Sequence, residues 1–130
     1  MNDTVKINQG LSDFQEIEES EQYQIVNVTE NTSKGFKGLS IEFKPKKQTS
    51  DNEKIKYRVT AWLGQNDTVG TRSKLGAFIS AFTDYFEMQA EIPLTTQEAI
   101  NKAQDTENWK GHYIKVISWR AKNREIKVTS

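Results

Sequence analysis

The sequence contains no cysteine, so disulfides, thiol catalysis and cysteine-held zinc or iron–sulfur centres are excluded. Histidine occurs once, at His112. No multi-histidine metal site can form, and a Ser-His-Asp triad would have to be built around that one residue. Long apolar runs are missing too: nothing approaches the ~20 residues of a membrane helix. The opening MNDTVKINQG has no hydrophobic signal segment. The chain is expected to be soluble and cytoplasmic, with no membrane partner. Gly35-Phe36-Lys37-Gly38 lacks the Gly-x4-Gly-Lys-Ser/Thr spacing of a phosphate loop.

Net charge is absent as well, with 18 Lys and Arg against 18 Asp and Glu. Taken whole, that zero argues against nucleic acid, whose binders are usually basic. Along the chain the charge is sorted. Residues 1–30 carry seven acids and one base, and residues 31–80 carry ten bases and four acids. Residues 81–107 hold six acids and one base, and residues 108–130 hold six bases and one acid. Such asymmetry is a reason to consider nucleic-acid or membrane partners.

What is present fits one domain: 130 residues, 35% hydrophobic, 28% charged and 10% aromatic. Residues 1–12 read as a flexible arm, and residues 13–130 as a single domain. Leu11–Glu21 reads equally as a short helix or an extended lead-in. A strand signal begins at Gln22, with Tyr23, Ile25 and Asn27 on one face. Glu30–Gly38 carries turn chemistry, and Leu39, Ile41 and Phe43 share one face of a second strand ending at Pro45. In the third, Ile55, Tyr57, Val59, Ala61 and Leu63 alternate with Lys56, Arg58, Thr60 and Trp62.

The period then changes. Leu75, Phe78, Ile79, Phe82 and Phe86 form a helical stripe that Thr71 or Ser73 can cap. Thr95-Thr96-Gln97-Glu98 has the form of a capping box opening a second helix to Gln104. Strands follow at His112–Arg120 and Arg124–Val128. The order β-β-β-α-(α)-β-β predicts a mainly β, α+β fold: a five-stranded OB-like barrel with the main helix plugging its base.

Lys56, Arg58 and Trp62 set two cations and a large ring on one strand face. Lys44, Lys46 and Lys47 adjoin them from the preceding strand and loop. Single-stranded nucleic acid needs cations for its phosphates and flat rings for its bases. A solvated sheet face explains the cations equally well, but an exposed Trp less well. Tyr113, Lys115 and Trp119, with Arg120, Lys122 and Arg124 in the next turn, form a second cluster. One registry points Tyr113 and Trp119 outward beside Lys115, and the other buries them. Glu16, Glu18, Glu19 and Glu21 read as a solvated stretch, or as an acidic arm over the basic face. Glu42-Phe43-Lys44 matches half of a restriction-type nuclease motif, but no Asp is placed to complete it.

Several segments together resemble a family of small bacteriophage and mobile-element proteins, OB-like binders of single-stranded DNA. They are the lead-in Asp13-Phe14-Gln15-Glu16-Ile17 with Gln22-Tyr23, the strand Gly38-Leu39-Ser40-Ile41-Glu42-Phe43, the helix Ser73–Phe82, and Trp109-Lys110-Gly111-His112-Tyr113-Ile114-Lys115-Val116. Glu21 stands where that pattern commonly has a turn glycine, and Thr95–Gln104 is a longer insertion than it suggests. The resemblance implies a non-enzymatic binder of single-stranded DNA, or of RNA, with little sequence preference. It needs no cofactor and no metal. A protein-interaction module of a replication or phage complex is the alternative, and a homo-oligomer is left open.

Overall fold

The computed structural model describes residues 14–33, 35–50, 54–64, 69–70 and 73–130. The predicted arm at residues 1–12 lies outside these, as do the candidate cap Thr71 and parts of two predicted loops. Six strands make one mixed sheet: β1 (Phe14–Gln15), β2 (Gln22–Ser33), β3 (Phe36–Pro45), β4 (Lys56–Trp62), β5 (Tyr113–Ser118) and β6 (Glu125–Val128). Between β4 and β5 lie helices α1 (Lys74–Gln89) and α2 (Thr96–Gln104), then a 3-10 turn at Thr106–Asn108. The strand order is β1-β4-β3-β2-β5-β6, with only β1–β4 parallel. The class is α+β, as expected. Neither described helix is long and apolar enough to cross a membrane.

The expected closed five-stranded barrel requires correction. The sheet is a curled half-barrel of six strands, and β4 and β6 share no pairing among the described residues. Beyond β1, residues 16–21 are neither a helix nor extended throughout: Glu19 and Ser20 form a turn, with Ser20 at φ 70°, before Ser20 and Glu21 exchange backbone hydrogen bonds with Val116 (2.8 and 3.0 Å). Side chains gather where strands would otherwise close: Trp119 meets Phe78 edge-on at 6.0 Å, and Arg124 sits 5.6 Å over the Trp119 ring.

Alternation decides which residues are inside. Ile41 pairs with Val59 and Phe43 with Tyr57, all four are buried, and Phe43 stacks on Phe78 of α1. In β2 the predicted face slips. Ile25 is opposite Phe43 but Asn27 is opposite Glu42, so Val26 is the extra residue of a bulge. Asn27 is therefore turned outward, and Val28 takes the next inward place opposite Ile41. The bend lets β2 pair with β3 along its length and with β5 at Gln22–Gln24. The stretch predicted as a turn is mostly strand, closed by Gly35 at φ 84°, a conformation open to glycine.

The stripe of α1 is buried as its spacing predicts, and the Ser73 hydroxyl caps it by accepting from the Gly76 N–H at 3.0 Å. The predicted capping box of α2 is complete, with Thr95 and Glu98 bonded reciprocally at 3.1 and 3.0 Å. Trp109, just after the 3-10 turn, is fully buried. Its ring stacks on Phe82 (5.2 Å, 2°) and Phe78 (5.7 Å), and its Nε1–H donates to the Ala103 carbonyl at 2.7 Å. Each such ring contributes roughly 1.5–3 kcal/mol through burial, and the stack reaches the sheet through Phe78 against Phe43 on β3, 5.8 Å between centroids.

Candidate functional site

With Tyr57, Val59 and Ala61 inside, the other face of β4 carries Lys56, Arg58, Thr60 and Trp62 outward. Opposite them on β3 stand Glu42, Ser40 and Gly38, and Phe36 and Lys44 extend the same face. Lys44 pairs with Gln24, Gln24 with Tyr113, and Lys115 with Lys127. The outer sheet face thus gathers Lys44, Lys56, Arg58, Trp62, Tyr113 and Lys115 from the predicted set. Lys46 joins them from just beyond β3, its Nζ 5.6 Å from the Tyr113 ring centre and 3.4 Å from the Gln22 side-chain oxygen.

The registry of β5 is the one with Ile114 and Val116 buried, which turns Tyr113, Lys115 and Ile117 outward. Trp119 does not follow Tyr113. A register shift between Val116 and Ser118 ends the alternation, and the indole folds half-buried onto Phe78. Its Nε1–H donates to the Glu16 carboxylate, which also accepts from Lys74 Nζ at 2.9 Å. Arg120 pairs with Glu19 at 3.3 Å, and Lys122 is exposed at φ 74° in the turn. The predicted second cluster is therefore split: Trp119 and Arg120 lie apart from the outer face, while Arg124 lines a hollow with Thr60 and Trp62 at its end. The acids Glu16 and Glu19 hold this C-terminal group and not the cations of β4.

Charge is uneven on the outer face. Arg58 lies 3.7 Å over the Phe14 ring and 3.4 Å from the Glu42 carboxylate, which also accepts from Asn27 at 3.4 Å. Glu42 therefore neutralises the middle of the face. At one end Lys44, Lys115 and Lys127 have no anionic partner among the described residues. Lys115 directly opposite Lys127 is a like-charge pair, which costs on the order of 0.2–1 kcal/mol unless an anion bridges it. At the other end are rings: Trp62 is 47% exposed and Phe36 55%.

Trp62 lies against Gly38, where any Cβ would stand 2.6 Å from its Cε3 and 2.7 Å from the Ala61 carbonyl oxygen. Only glycine seats the indole so low on the sheet. Phe36 was not among the residues expected to bind. Its signal in the sequence was parity with Gly38, hidden while residues 30–38 read as a turn. Phe14, beneath Arg58, was hidden because two residues of strand have no readable period.

A cleft of about 570 Å³ opens beside Lys46 and Lys47, lined also by Glu18, Glu21, Tyr23 and Tyr57. Its walls carry both signs. Burial pushes the Tyr23 phenol up to about 12, against the hydrogen bond it accepts from the Glu18 N–H at 3.0 Å, and burial raises Tyr57 too. The lone His112 stands edge-on to Phe82, Tyr85 and Phe86, with Nδ1 3.0 Å from the Ser130 backbone oxygen. Among the described residues no three His, Asp or Glu side chains group as a metal site. The Glu42 carboxylate of the half motif of a nuclease has Arg58 and Asn27 as neighbours. No model of a known protein family matches the chain, and no curated protein matches it.

Proposed function

We propose that this chain binds single-stranded nucleic acid, DNA rather than RNA, across the outer face of its sheet and with little sequence preference. The observation that carries the reading is the shared face: at one end lysines without anionic partners among the described residues, and exposed rings at the other. Phosphates would be neutralised by Lys44, Lys46, Lys56, Lys115 and Lys127, and bases would stack on Trp62, with Tyr113 at the rim. Strands β2 to β6, with α1 between β4 and β5, follow the order of an OB fold, and this supports the reading. So does the resemblance to phage single-stranded-DNA-binding proteins, from which the preference for DNA comes. Lys47, Lys122 and Arg124 belong to the rims of that face, and Arg120, paired with Glu19, does not.

Titrating oligo-dT while following tryptophan fluorescence at several salt concentrations tests this. Five neutralised phosphates give a log K against log salt slope of about −3.5. Absence of binding at low salt would refute the reading. A second reading, a docking module for a replication or phage protein, draws on another place. Met88 and Ile92 are 77% and 79% exposed at the end of α1, on the helical side of the sheet. Loss of a partner in pull-downs with Met88→Lys/Ile92→Lys, with oligonucleotide binding absent in the parent, would favour it.

A further inference from the structure

We propose that Phe36 and Trp62 form a clamp that takes one unstacked nucleobase between their rings, a proposal that rests on the single-strand reading above. Phe36 and Gly38 are alternate residues of β3, so both present the same outward face. Trp62 is the cross-strand partner of Gly38 and lies on it. Phe36 and Trp62 are therefore diagonal neighbours across β3 and β4, on residue positions about 7–8 Å apart. Stacked bases rise about 3.4 Å. At the spacing of those positions one base entering between the two side chains is within reach of both rings.

Three further features point to a base as the occupant. Both rings are about half exposed, and they lie on a face whose free charges are positive, which suits a polyanion. Gly38 holds Trp62 in place without a side chain of its own, so one wall of the clamp is set before binding. The backbone of a bound strand leaving the clamp runs along β3 and β4 towards Lys44 and Lys56, at the opposite ends of those strands. Between them Glu42 is already matched by Arg58 at 3.4 Å. A duplex offers no base free to enter, and selection for single strands follows from the clamp itself.

The test is a double-mutant cycle on oligo-dT binding with Phe36→Ala, Trp62→Ala and the pair, followed by anisotropy of a labelled oligonucleotide. Circular dichroism and thermal melting confirm that each variant folds. Each single change is expected to weaken binding about tenfold with the salt slope unchanged. The double variant is expected to lose less than the product of the two, because both rings act on one base. Parent binding with Phe36→Ala unchanged would overturn the clamp and leave the single-strand reading standing. No binding by the parent would overturn both. Self-association of the parent without oligonucleotide, abolished by Phe36→Ala, would assign the rings to a second copy of this chain and also overturn the clamp.

Discussion

Gly38 and Trp62 face each other across β3 and β4 so closely that a Cβ on the glycine would stand 2.6 Å from the indole Cε3. The same Cβ would meet the Ala61 carbonyl oxygen at 2.7 Å, and that backbone atom cannot turn aside. Gly38→Ala is therefore expected to destabilise by about 1–3 kcal/mol, as overpacking does. Urea denaturation measures the loss, and Trp62→Ala in the same background should recover only part of it.

Trp109 ties α2 to the aromatic stack of the core. Trp109→Phe keeps a ring between Phe78 and Phe82 but leaves the buried Ala103 carbonyl without its donor. A loss of about 1–3 kcal/mol is expected. Trp109→Ala, which opens a cavity as well, should cost about 3–5 kcal/mol. Paired melts of the two variants separate the hydrogen bond from the packing.

Tyr23 makes stability fall in alkali. Its phenol titrates at about 12 when folded against an ordinary 10, so the folded state keeps a proton the unfolded state has lost. Stability from this group is whole below pH 10 and drains away as pH rises towards 12, by on the order of 2 kcal/mol. Tyr57 shifts the same way. Denaturation midpoints from pH 8 to 11 should decline less steeply in Tyr23→Phe than in the parent.

Glu42→Gln releases Arg58 from its ion pair while the Phe14 ring still holds the guanidinium. Because that pair is partly exposed, stability should change by less than about 1 kcal/mol. Oligonucleotide affinity at low salt should rise, and the salt slope should steepen by about 0.7, one further phosphate. Unchanged affinity and slope would place the bound strand away from Arg58.

Lys122 sits at φ 74°, where a side chain strains the backbone. Lys122→Gly is expected to stabilise by up to about 1 kcal/mol. Thermal melting checks it, independently of any binding role of the cation.

Where residues alternate without interruption, the sequence is legible. The inward faces of β3 and β4, the stripe of α1 and the capping box of α2 all follow from spacing. The failures have local causes. One extra residue at Val26 turned Asn27 outward, and the register shift before Ser118 carried Trp119 off the face that Tyr113 occupies. Trp109 sits in irregular backbone, so no periodicity marked it as core. On the outer face the cations of β4 and the exposure of Trp62 were readable from parity. The opposition of Glu42 to Arg58 was not, because it depends on a register that alternation alone leaves free.

The pairing of β2 with β5 also sets a timetable. The β2–β3–β4 meander is built from neighbours in sequence and is complete early in synthesis. The edge of β2 that receives β5 stays bare until Tyr113 and Ile114 emerge, after both helices. Folding should then be slow for a chain of this size, because its last step joins distant segments. Until that step the nascent chain presents an unsatisfied strand edge flanked by Tyr23 and Ile25, the kind of surface on which incomplete chains pair with one another.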